Sequence, residues 1–91
     1  MIEELQGRVA VVLGARGAIG SAIVDRMVKA GASVVAVDRD PVPDDTRVQI
    51  EHLTVDVTQE SQMEALFGAA KSRYSRIDIV VCSQGIAAGG P

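Results

Sequence analysis

The stretch Val11-Val12-Leu13-Gly14-Ala15-Arg16-Gly17-Ala18-Ile19-Gly20 decides the fold of this chain. Its apolar first part is typical of a buried β-strand, and glycines follow at positions 14, 17 and 20. A helical pattern of apolar residues starts directly after this turn. A strand, a glycine turn and a helix in this order let the backbone approach a pyrophosphate, whose charge the N–H groups at the helix start can hold. We therefore expect a dinucleotide site here.

A second apolar run, from Ser33 to Asp38, ends on a carboxylate close to the offset of about 20 residues that such sites show. The Asp38 carboxylate can accept hydrogen bonds from the ribose hydroxyls of adenosine. It would repel a 2′-phosphate, so NAD is expected in preference to NADP, although Arg39 next to it could pair with that phosphate. Two simpler interpretations stay open: the glycines serve only a tight turn, and Asp38 only caps a turn.

Composition narrows the class of protein. The chain has 91 residues, of which 47% are hydrophobic, and a mean hydropathy of +0.21, which predicts one small ordered domain. Its net charge of −3 and the lack of a basic cluster argue against nucleic-acid binding. A single cysteine excludes an internal disulfide, and no apolar run approaches a membrane span of about 20 residues. The acidic start of the chain lacks a signal-peptide pattern, so a cytoplasmic location is expected.

The rest of the pattern predicts alternating strands and helices. We expect the first strand over Arg8 to Leu13 and the first helix over Ala18 to Ala30, closed by Gly31, with Ile19, Ile23, Met27 and Ala30 on its apolar face. The connection from residue 39 to 46 leaves no room for a helix. A third strand is expected within Val48 to Val55, a helix capped by Thr58 over Gln59 to Arg73, and a fourth strand over Ile77 to Cys82. The second helix should bury Met63, Leu66, Phe67, Ala70 and Tyr74.

This order of elements predicts an α/β fold. Apolar strands joined by crossover helices form a Rossmann-type parallel sheet of strand order 3-2-1-4, in three αβα layers, here ending after the fourth strand. Ligands of such sheets bind outside the carboxyl ends of the strands. The glycine turn, Asp38, Asp56 and the segment Ser83 to Gly85 should all meet at that edge. The fourth strand should then be an apolar edge that pairs with another chain, so a homo-oligomer is expected.

Five motifs in the chain resemble the short-chain dehydrogenase/reductase family. Residues 6–14 resemble the family's opening strand, and residues 14–20 match its glycine turn. Residues 30–39 match its second strand, Asp56-Val57-Thr58 resembles its D-V-T segment, and Cys82-Ser83-Gln84-Gly85 stands at the place of its N-N-A-G motif. Three features depart from the family pattern: Leu13 replaces a threonine, only the glycine of N-N-A-G is kept, and the connection between strands two and three is short.

The resemblance implies an NAD(P)-dependent oxidoreductase, with residues 1–91 as a single cofactor-binding Rossmann half-domain. Asp56 and Val57 would flank the adenine, and Ser83, Gln84 and Gly85 would pass near the nicotinamide ribose. Asp56 could instead be a solvated acid at a strand end, and residues 83–85 an ordinary loop. The cofactor-binding residues expected overall are Gly14, Arg16, Gly17, Ala18, Ile19, Gly20, Asp38, Arg39, Asp56, Val57, Ser83, Gln84 and Gly85.

No catalytic or metal-binding residue is predicted. The family's proton donor is the tyrosine of a Y-x-x-x-K motif, but Tyr74 is the only tyrosine and Asp78 stands four positions later. The chain is therefore expected to be inactive alone and to act on an alcohol or carbonyl substrate only with a catalytic half. His52 is interpreted as a surface or strand-packing residue, and Cys82 and the side chain of Ile19 as core. The side chain of Arg16 either reaches a phosphate or is solvated.

Two further classes of protein stay open. A non-catalytic module that binds dinucleotide or self-associates is the first, because no proton donor is present. The second is a methyltransferase-like domain that binds S-adenosylmethionine, whose ribose Asp38 could also hold. The D-V-T segment and the final glycine fit the dehydrogenase family better than this second class.

Overall fold

The computed structural model describes residues 4–40 and 47–83, which form an alternating series of strands and helices. The elements are β1 (Val9–Leu13), α1 (Ala18–Lys29), β2 (Ser33–Asp38), β3 (Ile50–Thr54), α2 (Glu60–Tyr74) and β4 (Ile79–Cys82). All six predicted elements are present, with ends that differ by one or two residues from the predicted ones. The connection predicted to lack a helix falls mostly on residues 41–46, which lie outside the described residues.

The four strands form one parallel sheet of order β3-β2-β1-β4. Val11 in the central strand pairs with Val35 of β2 on one side and with Val80 of β4 on the other. β1 and β2 are buried almost throughout, because neighbouring strands cover both of their edges and helices cover both faces. The predicted strand order and the α/β class are confirmed.

Two apolar clusters, one on each face of the sheet, make the structure three-layered. Alternate residues of a strand point to opposite faces, so Val11 and Val35 pack with Leu66 of α2, while Val12 and Val34 pack with Val24 of α1. The cores contain many small β-branched side chains and few aromatic ones, in keeping with the composition.

The first helix ends in a Schellman motif. The N–H of Gly31 donates to the carbonyl of Val28, and the N–H of Ala32 donates to that of Met27. Gly31 has φ +96°, which favours glycine, so its predicted role in closing the helix is confirmed.

The predicted apolar face of α1 is wrong at its first position. Ile23, Met27 and Ala30 are partly or fully buried, but Ile19 is 63% exposed and Val24 is the buried residue. In this first turn Gly20 is the buried residue, packed against the chain just after β1, and Ile19 is turned away from that contact. Ile19 therefore faces the space outside the strand ends.

The second helix buries the predicted stripe but begins differently. Leu66 and Ala70 are buried, and Met63, Phe67 and Tyr74 pack against the same cluster. The N-cap position belongs to Gln59, and the Thr58 hydroxyl instead donates to the Asp56 carboxylate. The expected capping role of Thr58 is therefore wrong.

The outer strands are less buried than expected. Val48 is 96% exposed and precedes β3, which starts at Ile50. Cys82 is exposed at the end of β4, so its interpretation as a core residue is wrong. Among the described residues β4 pairs only with β1, which leaves one edge and part of one face open. His52 is half-buried in β3 opposite Ala36, as its interpretation as a packing residue predicts.

Gly20 lets α1 approach the end of β1. A Cβ atom at this position would lie 1.9 Å from the carbonyl oxygen of Gly14 and 2.9 Å from the Ser83 hydroxyl oxygen. A backbone oxygen cannot give way as a flexible side-chain end can. Gly68, on an exposed part of α2, has open space where a Cβ would stand.

We predict that Gly20→Ala lowers the free energy of unfolding by about 3 kcal/mol or more, because the new methyl group overpacks the backbone of the turn. Gly68→Ala is the matched control and should raise it by about 0.5–1 kcal/mol through helix propensity. Urea denaturation of both variants measures the difference. A Gly20→Ala protein as stable as the unsubstituted one would contradict the packing described here.

At the opposite end of the sheet, Asp78 joins β4 to β1. Its Oδ2 accepts the N–H of Val9 at 2.8 Å, and Arg76 donates to both of its oxygens at 2.7–3.0 Å. Arg8 lies 3.5 Å from Oδ1. The Arg76 hydrogen bonds, followed by that from Val9, lower the pKa of Asp78 from 3.8 to about 2.

Because this pKa is lower in the folded than in the unfolded chain, the ionised carboxylate stabilises the fold above pH 3.8, and this contribution is lost as the pH falls towards 2. We predict that Asp78→Asn destabilises the protein at neutral pH and that its deficit shrinks between pH 4 and pH 2. Glu64→Gln, an exposed carboxylate on α2, should show neither effect. Denaturation curves at several pH values test this; a deficit independent of pH would contradict it.

Candidate functional site

An open cleft of about 290 Å³ lies at the carboxyl ends of β1, β2 and β4. Seven residues line it: Gly14, Gly17, Ala18, Ile19, Gly20, Asp38 and Ser83. All seven are among the residues that the sequence predicted for a dinucleotide site. The cleft is formed by the glycine turn with the start of α1, the last residue of β2 and the residue after β4.

Backbone hydrogen bonds hold the glycine turn against β2. The N–H groups of Gly14 and Ala15 both donate to the carbonyl of Val37, at 2.8 and 3.0 Å. The N–H of Gly17 donates back to the carbonyl of Gly14 at 3.2 Å. Gly14 has φ +82°, a conformation that other residues rarely adopt. The turn is thus fixed by the backbone of its neighbours.

The amino end of α1 has no side-chain cap. Gly17 is the N-cap residue, and no acidic residue stands in the first turn. The helical hydrogen bonds to the N-cap begin with Ser21, whose N–H donates to the Gly17 carbonyl at 2.8 Å. The N–H groups of Ala18, Ile19 and Gly20 come before that bond, at the positive end of the helix dipole. This helix start therefore suits an anion.

The three glycines of the turn are there for different physical reasons. Gly14 is needed for its positive φ, and Gly20 for the close approach of α1. Gly17 has an ordinary φ of −67°, and a Cβ there would meet its nearest neighbour at 3.6 Å, a normal contact distance. Neither the backbone nor the packing of the described residues requires glycine at 17. Its missing side chain leaves space in the cleft.

Asp38 is buried at the edge of the cleft, with 7% of its surface exposed. Its Oδ2 accepts the N–H of Arg16 and its Oδ1 accepts the N–H of Asp40, both at 3.1 Å. Asp38 therefore ties the glycine turn to β2, as the simpler interpretation of a turn-capping acid predicts. A carboxylate has room for about four hydrogen bonds, so two accepted bonds leave capacity for a ligand.

We predict that Asp38→Ala lowers the free energy of unfolding, without any nucleotide added, by about 2 kcal/mol, because two backbone N–H groups lose a charged acceptor. Asp40→Ala removes a neighbouring exposed carboxylate and should cost less than about 0.5 kcal/mol. Chemical denaturation compares the two variants. Equal stability of both would mean that the Asp38 bonds contribute nothing to the turn.

Ser83 connects β4 to the same turn. Its hydroxyl lies 3.1 Å from the carbonyl oxygen of Leu13 and 3.0 Å from that of Gly14, and its N–H donates to Leu13 at 3.0 Å. At the position of Leu13, which is buried in the core, the family pattern has a threonine. The hydroxyl of Ser83, the residue after β4, thus reaches the backbone of the turn, a contact that the sequence did not predict. Its only sequence signal is a polar residue directly after an apolar strand.

The remaining predicted residues lie beside the cleft or outside the description. Asp56 does not line the cleft: its Oδ1 accepts the N–H and the hydroxyl of Thr58 at 2.9 and 2.6 Å. These two bonds, with a smaller contribution from the charge of Arg39, lower the pKa of Asp56. Val57 packs against the cluster under α2. Gln84 and Gly85 lie outside the described residues.

Arg16 and Arg39 are both exposed at this end of the sheet. Arg16 takes part in the site through its backbone N–H, which binds Asp38. Arg39 directly follows Asp38, where the chain leaves β2. The two interpretations of the Arg16 side chain, a phosphate ligand or a solvated charge, therefore stay open.

Tyr74 lies away from the cleft, at the end of α2. Its hydroxyl donates to Glu51 at 3.0 Å, and Arg73 binds the same carboxylate at 3.2 Å. Burial, and then the Glu51 carboxylate, raise the pKa of Tyr74. A raised pKa opposes the ionised form of the phenol, and the position is remote from the predicted ligand.

The described residues contain neither a metal-binding cluster nor a membrane-spanning helix. In residues 4–40 and 47–83 no group of three or more His, Cys, Asp or Glu residues is arranged to hold a metal ion. Neither helix of that part of the chain is long and apolar enough to cross a membrane.

Comparison with known proteins identifies the family. The family model described as short chain dehydrogenase matches residues 8–91. An uncharacterized oxidoreductase of Staphylococcus saprophyticus is 34% identical over 92 residues, which cover 91% of this chain and 39% of that protein. An uncharacterized short-chain type dehydrogenase/reductase of Sinorhizobium fredii is 40% identical over 88 residues, 88% of this chain and 16% of its own.

A solved structure agrees with these matches. The 3-ketoacyl-(acyl-carrier-protein) reductase of Brucella melitensis, in complex with NADH, superposes with a TM-score of 0.76 at 32% identity, over 84% of this chain and 33% of that one. The chain belongs to the short chain dehydrogenase family. It spans between about a sixth and two fifths of the length of these relatives. Membership in this family argues against the methyltransferase-like alternative.

Proposed function

We propose that this chain binds a nicotinamide dinucleotide, NAD in preference to NADP, in the cleft at the end of β1. Residues 1–91 would act as one cofactor-binding domain of an oxidoreductase. The observation that carries the proposal is the uncapped start of α1 beside Gly17, a glycine that neither backbone conformation nor packing requires. A pyrophosphate there would accept the N–H groups of the first helical turn and occupy the space that a side chain at 17 would fill.

The preference for NAD rests on Asp38. Its carboxylate ends β2 at the edge of the cleft, where it can accept the ribose hydroxyls and where a 2′-phosphate would meet a like charge. The similar reductase of Brucella melitensis was solved with NADH, which supports a nicotinamide cofactor for this chain too. Arg39 is the residue that works against this preference, since a neighbouring arginine can pair with the phosphate.

The other site residues take roles that follow from their positions. Ile19 is exposed at the cleft and would pack against the ligand, and Ser83 would keep the glycine turn in place through its hydroxyl. Asp56 and Val57 would flank the adenine from the end of β3. Gln84 and Gly85 would continue along the nicotinamide ribose.

When bound, the cofactor supplies hydride transfer between its nicotinamide ring and an alcohol or carbonyl carbon. Residues of this chain would bind and orient it. Tyr74, remote from the cleft and hydrogen-bonded to Glu51, is a poor proton donor for that reaction. We therefore expect no dehydrogenase activity from residues 1–91 alone, and a dinucleotide-binding module without catalysis is the second candidate. A homo-oligomer and a cytoplasmic location stay predictions.

Titration calorimetry with NAD, followed by NADP, tests the proposal. We predict saturable NAD binding that Gly17→Val weakens by about tenfold or more, because the side chain would fill the space for the pyrophosphate. The same substitution should lower the free energy of unfolding by only about 1 kcal/mol, the cost of valine at an N-cap, since residue 17 has ordinary φ and room for a Cβ.

Gly68→Ala serves as the control for binding, because Gly68 lies on the exposed part of α2 and should leave NAD affinity unchanged. Failure of a folded protein to bind either nucleotide would overturn the proposal. Binding that Gly17→Val leaves unaffected would place the nucleotide elsewhere.

A further inference from the structure

Arg39 and Asp56 leave neighbouring strands at the same edge of the sheet. In the parallel register Asp38 pairs with Thr54, and the N–H of Val55 donates to the carbonyl of Asp38 at 2.9 Å. The chain passes from Asp38 to Arg39 on one strand and from Val55 to Asp56 on the next. The cation and the carboxylate therefore leave neighbouring strands at this edge, one position apart in the register, close to the residue expected to select the cofactor.

The Asp56 carboxylate is held in place from its own side of the sheet. Thr58 donates two hydrogen bonds to Oδ1, and the N–H of Asp56 donates to the side-chain oxygen of Gln62 at 2.9 Å. Oδ2 is not used by these bonds. The two Thr58 bonds lower the pKa of Asp56, and the charge of Arg39 adds a smaller contribution in the same direction, as expected for opposite charges at neighbouring strand ends.

We propose that Asp56 is a second determinant of cofactor choice, which disfavours NADP by attracting the Arg39 guanidinium away from the ribose 2′ position. The inference rests on the proposed function, because it concerns a nucleotide in that cleft. A 2′-phosphate would need a cation, and Arg39 is the residue next to Asp38 that could supply it. Because the Asp56 carboxylate is fixed nearby, the Arg39 guanidinium would have to leave it in order to bind a 2′-phosphate. Asp56 acts through Arg39, so it is a positioning residue.

The test compares the ratio of the Kd values for NADP and NAD in the unsubstituted protein and four variants. Asp56→Asn removes the charge but keeps an oxygen that can accept the Thr58 bonds. We expect this variant to lower the ratio by about three- to tenfold, the size of effect that one charge has on a nearby phosphate in water. Glu64→Gln, an equal change of net charge on α2, should leave the ratio unchanged.

Arg39→Ala, alone and combined with Asp56→Asn, shows whether Asp56 changes the ratio of Kd values through Arg39. In the Arg39→Ala background, Asp56→Asn should no longer change the ratio. A structural role for Asp56 would weaken NAD and NADP alike, so the ratio separates specificity from folding. If Asp56→Asn does not fold, Asp56→Ser keeps a short side chain that can form the same turn, and the same comparison is made.

Three results would overturn the inference. The first is an unchanged ratio in Asp56→Asn while NAD still binds, which leaves the proposed function intact. The second is a ratio that falls equally with and without Arg39, which would mean that Asp56 repels the phosphate directly. The third is no saturable binding of either nucleotide by the unsubstituted protein, which would overturn the proposed function together with this inference.

Discussion

The close contact between the start of α1 and the end of β1 is the constraint on which the rest of the structure depends. Gly20 allows the helix to pack directly on the carbonyl of Gly14, and the positive φ of Gly14 turns the chain sharply enough to reach that position. Because the helix starts here, its first N–H groups lie at the carboxyl edge of the sheet. Backbone geometry thus creates a helix start that suits an anion without any charged side chain.

Two side chains from other strands stabilise this turn. Asp38 receives the N–H of Arg16 from the end of β2, and the Ser83 hydroxyl reaches the carbonyls of Leu13 and Gly14 from the end of β4. The same groups border the cleft, so the residues that would contact a nucleotide also hold its binding site in shape. We therefore expect substitutions at Asp38 to affect folding and binding together, and a substitution at Gly17 to act mainly on binding.

Charge at this edge is arranged by the register of the sheet. The pairing of Asp38 with Thr54 brings Arg39 and Asp56 out at the same edge, one position apart in the register, and Thr58 fixes the Asp56 carboxylate. A cation that the sequence places next to Asp38 is thereby brought close to a second anion from the neighbouring strand. Under our proposal, the choice between NAD and NADP would depend on this balance of charges as well as on the carboxylate at the end of β2.

The sequence by itself determined the alternation of strands and helices and the order β3-β2-β1-β4, because glycine spacing and apolar periodicity are local signals. It also predicted thirteen candidate site residues, which include the seven that line the cleft. Only the tertiary structure decided that Ile19 is exposed, that Cys82 is exposed and that Thr58 binds Asp56 instead of capping α2. Each of these depends on where an element ends relative to the sheet. The bond from Ser83 to Gly14 joins residues 69 positions apart, a contact that no local pattern in the sequence records.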